Sequence, residues 1–87
     1  MSFIPVEWLT EKLTVQAAEA ANTVNGRVFG FQHLKWGRLK AKMVPGDELW
    51  EFCSPPSTWA HLQGRQGYAV VRKGAVVDSL VISQSEH

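Results

Sequence analysis

A single cysteine, Cys53, is too few for an intramolecular disulfide. Small secreted domains usually depend on several, so a cytoplasmic location is expected. The first residues, Met1-Ser2-Phe3-Ile4-Pro5, lack the basic and apolar regions of a signal peptide. No stretch approaches the roughly 20 apolar residues that a membrane-spanning helix requires, so no membrane partner is expected. An excess of one charge is also lacking. Nine Lys and Arg against eight Asp and Glu leave a net +1, whereas a dedicated nucleic-acid binder carries a marked basic surplus. Chain length is short as well. The 87 residues make one domain, 1–87, and a chain of this size buries roughly 60% of its unfolded surface. One modest core follows, with little left over for a deep catalytic pocket. The expectation is therefore a non-enzymatic protein with no cofactor.

What is present is globular. Hydrophobic residues make up 45% and charged residues 20%, and four of the residues are Trp. Each Trp is a large apolar group with one N–H that needs a partner. The N-terminal part reads as one long helix. Val6, Leu9, Leu13, Ala17, Ala20 or Ala21, and Val24 recur at steps of three and four. Pro5 suits a first helical position, and Asn25-Gly26 supplies a stop. Thr14 and Val15 weaken its middle, so a break there is compatible with the pattern.

A β-region is predicted next. Arg27 to Leu34 is rich in β-formers, with Gly30 marking a bulge or a close approach. Trp36-Gly37 reads as a turn. Arg38 to Val44 alternates, with Leu39, Ala41 and Met43 on one side and Arg38, Lys40 and Lys42 on the other. Pro45-Gly46-Asp47 is a turn, and Glu48 to Cys53 a strand. Ser54 to Gly64 reads as a short helix capped by Ser54 or Ser57. Tyr68 to Arg72, Lys73-Gly74 and Ala75 to Ser83 form the clearest signal, a β-hairpin with Gly at a two-residue turn. On its return strand Val76, Asp78, Leu80 and Ile82 share one face. Residues 84–87 read as a flexible tail. The expected order is α-β-β-β-α-β-β: an α+β fold in which a curved, mainly antiparallel sheet of about five strands packs on the long helix, with the short helix as a crossover.

The run Gly46-Asp47-Glu48-Leu49-Trp50-Glu51-Phe52 is followed by Ser54-Pro55-Pro56, Trp59, Leu62 and Gly64-Arg65. Gly67-Tyr68, Val71-Arg72, Gly74 and Val76-Val77 complete the pattern. Together these resemble segments of short uncharacterised bacterial or prophage-type proteins, over roughly the back half of the chain. The resemblance implies a bacterial or phage-derived origin. It brings no activity, cofactor or catalytic residue with it.

The basic stretch is the most suggestive constellation. Lys35, Arg38, Lys40 and Lys42 fall close together, with Trp36 among them and His33, Phe31 and Phe29 just before. Cations bind phosphates, and an exposed aromatic stacks a base. The plainer alternative is a lysine-guarded sheet edge. Trp8, on the flank of the helix stripe, and Trp36, at the turn, would serve as interface anchors if exposed; full or partial burial in the core is the plainer alternative. Cys53 with His61 would make a nucleophile–base pair only if the thiol were activated; a buried thiol at a strand end is the simpler reading. Cys53, His33, His61 and His87 lack metal-ligand spacing. Asp47, Glu48 and Glu51 read as a solvated turn and strand face rather than paired catalytic carboxylates. Gly64-Arg65-Gln66-Gly67 lacks the spacing of a phosphate loop.

Two functions lead. One is a protein-interaction or accessory module, with self-association included, that uses Trp8, Trp36 and an unpaired strand edge. The other is a nucleic-acid-binding accessory protein that uses Lys35, Trp36, Arg38, Lys40 and Lys42.

Overall fold

A computed structural model describes residues 4–62 and 64–84, with the side chains of Phe31 and Gln84 left out. The predicted long helix is not formed. Residues Val6–Trp8 make one 3₁₀ turn, and β1 (Leu9–Leu13) then runs extended. The break falls at Thr14, whose backbone is extended and whose hydroxyl accepts the N–H of Ala17 at 3.0 Å. That is an N-cap, and it starts a helix of only seven residues, α1 (Val15–Ala21). Leu9 and Leu13 mimic helical spacing because β1 carries a bulge between Leu9 and Glu11. The extra residue sends these two leucines to opposite faces of the sheet.

The next stretch also departs from expectation. Asn25-Gly26 does not stop a helix. Both residues have positive φ (52° and 79°) and turn a small hairpin of β2 (Thr23–Val24) and β3 (Arg27–Val28). The strand expected to continue to Leu34 ends at Val28. Phe29 and Gly30 are left-handed (φ 60° and 52°), which swings the chain into a 3₁₀ turn, Gly30–Gln32. The turn expected at Trp36-Gly37 and the strand expected over 38–44 are replaced by α2 (His33–Ala41). No β-branched residue occurs between His33 and Met43, and Leu, Lys, Arg and Ala favour helix. Trp36 and Leu39 make its inward stripe, and Met43, just past its end, packs against the same cluster.

The back half follows its sequence more closely. β4 (Glu48–Cys53), α3 (Pro56–Ala60), β5 (Arg65–Arg72) and β6 (Ala75–Gln84) lie near their expected places. Lys73 and Gly74, at φ 53° and 81°, close the β5–β6 hairpin. Gln84 still belongs to β6, so that part of the expected tail is strand; residues 85–87 lie outside the described residues. Ser54 does not cap α3. Its hydroxyl accepts the N–H of Arg65, which pins the end of β4 to the start of β5. Ser57 makes no capping bond either.

The sheet has four antiparallel strands in the order β1-β4-β5-β6, and β2-β3 form a separate pair. The five-stranded sheet thus becomes four plus two. Both faces of the four-stranded sheet bury apolar groups. One face holds Leu49, Tyr68, Val70 and Leu80 under Ala18 of α1, Phe29, and Trp36 and Leu39 of α2. The other holds Phe52 and Ala69, covered by Ile4 and flanked by Trp8, Leu9, Val76 and Val81. Val76 does not share a face with Leu80, because a bulge between Val70 and Val71 on the β5 side leaves Val77 unpaired.

Two glycines give opposite expectations. A methyl group on Gly67 of β5 would collide with the Leu80 carbonyl oxygen and lie 3.0 Å from Val81 Cα. Gly37 lies inside α2 with open space around it. Gly67→Ala should therefore destabilise by about 1–3 kcal/mol, a fall in Tm on the order of 10 °C. Gly37→Ala should stabilise by about 0.5–1 kcal/mol. Thermal unfolding followed by circular dichroism reads both signs.

Candidate functional site

Helical geometry sorts the basic residues into two groups. Lys35, Arg38 and Lys42 are separated by three and then four positions, so they form one stripe along α2. They line a shallow depression of about 180 Å³ together with Leu39, Asp78, Ser79 and Leu80. Lys42 also borders a neighbouring one of about 190 Å³ with Val70, Arg72, Val77 and Asp78. The cation stripe thus runs beside β6, with Lys42 next to Val77 and Asp78. Lys40 lies on the other flank of the helix. Its ammonium pairs with Glu19 of α1 at 2.6 Å.

Trp36 is not exposed. It retains 1% of its accessible surface, its ring stacks on Phe29 at 4.4 Å, and Tyr68 meets it edge-on at 6.2 Å. The indole N–H donates to Glu19 Oε2 at 2.8 Å. The bonds from Lys40 first, and from Trp36, hold the Glu19 carboxyl below its usual range. Trp8 is half-buried against the second cluster, across the sheet from α2. Trp8 and Trp36 therefore do not share a surface, and neither lies with the cation stripe.

β6 is the last strand of its sheet and, among the described residues, pairs only with β5. Its outer edge is partly guarded. Val77 bulges and stays 47% exposed. Asp78 accepts the N–H of Ser79 at 2.9 Å and meets Lys42 at 3.7 Å. Sequence reasoning placed Asp78 on one face with Val76, Leu80 and Ile82 but gave it no part in a site, although a lone carboxylate within Val76-Val77-Asp78-Ser79-Leu80 is a visible signal.

The structure also places the other constellations. The Cys53 thiol donates to the Ser54 carbonyl at 3.5 Å, while His61 lies exposed at the end of α3. Glu48 accepts bonds from Trp50 and Lys12, which lower its pKa in that order, and Glu51 projects from the opposite face. The two carboxylates do not form a pair. No group of three metal-binding side chains occurs among the described residues. Gly64 packs against the Trp59 ring and Gly67 against β6, so the glycines serve packing. No helix among the described residues is long and apolar enough to cross a membrane. Comparison with protein-family models, with curated proteins and with solved structures finds no match to this chain.

The Asp47 carboxylate is shielded, with a side chain only 1% exposed. Arg72 grips it twice, Nε to Oδ1 at 2.8 Å and Nη2 to Oδ2 at 2.9 Å. The Val44 N–H adds a third bond at 3.0 Å. The Arg72 contact above all, then the Val44 N–H, lowers the Asp47 pKa from 3.8 to about 2. Folding therefore favours the ionised form. The associated stability is present above pH 3.8 and is lost as pH falls through about 2. Asp47→Asn should lower Tm at neutral pH and flatten its fall over that acid window. Tm measured against pH for both proteins checks this, and an unchanged acid slope would show that other groups govern it.

Proposed function

We propose that this chain is a small non-enzymatic interaction module that binds a partner protein at the open edge of β6. One observation carries the reading: a ten-residue edge strand borders the Lys35, Arg38 and Lys42 stripe. An unpaired edge offers a row of backbone donors and acceptors to a further strand. Side chains beside the edge then choose among the strands that try to pair. The depressions are too small and open to hold a typical small-molecule ligand, which needs roughly 300 Å³ or more. Burial of Trp36 favours a protein partner over single-stranded nucleic acid, because it removes the aromatic that would have stacked a base. A cytoplasmic setting fits the single thiol.

Selection from a random peptide display library should enrich binders, and their contacts should map by amide chemical shifts onto β6 and α2. A library that yields no binder, or binders whose shifts fall on β1, would remove this reading.

A further inference from the structure

The chemistry of the edge narrows the kind of partner. We propose that the β6 edge takes an extended acidic segment, with carboxylates at alternate positions facing Lys35, Arg38 and Lys42. This rests on the edge-binding function proposed above and specifies its ligand.

The geometry supplies the match. A strand added to β6 alternates its side chains between the two faces of the sheet, with same-face neighbours about 6.8 Å apart. On the α2 face those side chains emerge beside the cation stripe. Along α2 the rise from Lys35 to Arg38 is about 4.5 Å, and from Arg38 to Lys42 about 6 Å. Two carboxylates on one face of a strand span about 6.8 Å and three about 13.6 Å, which brackets the roughly 10.5 Å covered by the three cations. Asp78 already shows the chemistry in miniature: a β6 carboxylate on this face reaches Lys42 at 3.7 Å and also takes a strand N–H. It answers one cation. Lys35 and Arg38 are exposed beside it in the same depression.

Charge also argues against a second copy of this chain. Antiparallel pairing of β6 with β6 about a two-fold axis normal to the sheet keeps the two α2 helices on one side. Two cation stripes would then face each other across the seam, and like charges in apposition oppose assembly. A free polyanion meets the cations too, but it makes no use of the strand edge.

The test uses three blocked ten-residue peptides that alternate Val or Thr with Glu, with Gln or with Lys, titrated by calorimetry in low and in about 0.15 M salt. The Glu peptide should bind at least on the order of tenfold tighter than the Gln peptide and weaken as salt rises, and the Lys peptide should not bind. The triple substitution K35E, R38E and K42E should reverse the preference towards the Lys peptide. Amide shifts at Ala75–Gln84 in the unmodified protein report on the edge without relying on that variant. Equal binding of Glu and Gln peptides at β6 would overturn the acidic specificity and leave edge binding standing. Binding of none of the three would overturn this ligand, and with an empty library selection would remove the edge function as well. A thymidine oligonucleotide that binds α2 at the higher salt when the Glu peptide does not would assign the stripe to phosphate. A β6-paired dimer seen by light scattering would assign the edge to a second copy; both results overturn the proposal.

Discussion

The fold depends on the seat of one indole. α1 and α2 have seven and nine residues, lengths at which an isolated helix is marginal in water. Neither has the length to hold itself on the sheet alone. Trp36 solves this by filling the space between Phe29, Tyr68 and the sheet while its N–H is satisfied by Glu19. Aromatic contacts of this kind contribute about 0.5–1.5 kcal/mol per pair beyond the area they bury. The Glu19 carboxylate belongs to α1, and the same oxygen also holds Lys40 of α2. A single acceptor therefore fixes the rotation of α2 about its axis. With Trp36 inward and Lys40 tied on one flank, Lys35, Arg38 and Lys42 are obliged to emerge on the other, along β6.

A second consequence reaches the sheet. Tyr68, opposite Trp36, gives its hydroxyl to the bond network of Asn22, whose side-chain amide donates to both the Tyr68 oxygen and the Ala18 carbonyl. The end of α1 is thereby fastened to the middle of β5. On the reverse face the sheet is closed by less: Ile4 and Trp8 from the chain start, with Phe52 and Ala69 beneath. The two-sided burial explains why the β5 sequence Tyr68-Ala69-Val70-Val71 is apolar without a break, as a central strand requires.

The parts legible in the sequence were those where one physical signal dominated. The Lys73-Gly74 turn needs positive φ, and its flanking strands are dense in β-branched Val and Ile; hairpin and strand Glu48–Cys53 follow directly. The first half was less legible because its signals coincide with those of other structures. The β1 bulge gives Leu9 and Leu13 helical spacing on a strand. Conversely, Arg38-Leu39-Lys40-Ala41-Lys42-Met43 alternates like a strand, yet Leu39 and Met43 also lie four apart. In so short a window the two periods cannot be separated by apolar positions alone. The absence of β-branched residues favoured helix, and the seat of Trp36 decided it. Misassigning that one element also displaced the candidate site. A basic strand with an exposed Trp became a basic helical stripe with a buried one. The four cations lie along one helix, but Lys40 pairs with Glu19 on its other flank, and the strand edge beside the remaining three comes from elsewhere in the chain.

Asp78 gives the open edge its particular character. Edge strands resist unwanted pairing through bulges and inward charges, and β6 has both, at Val77 and Asp78. The same carboxylate neutralises one cation of the stripe. A neutral strand that adds here pairs with the backbone of β6 alone and offers the cations nothing. An acidic strand pairs with the same backbone and also brings carboxylates to Lys35 and Arg38. The guard and the selector are then neighbours: Val77 and Asp78 hinder every incoming strand, and one that carries carboxylates gains the cations in return. An edge built this way stays unpaired in the absence of its partner without being sealed against it.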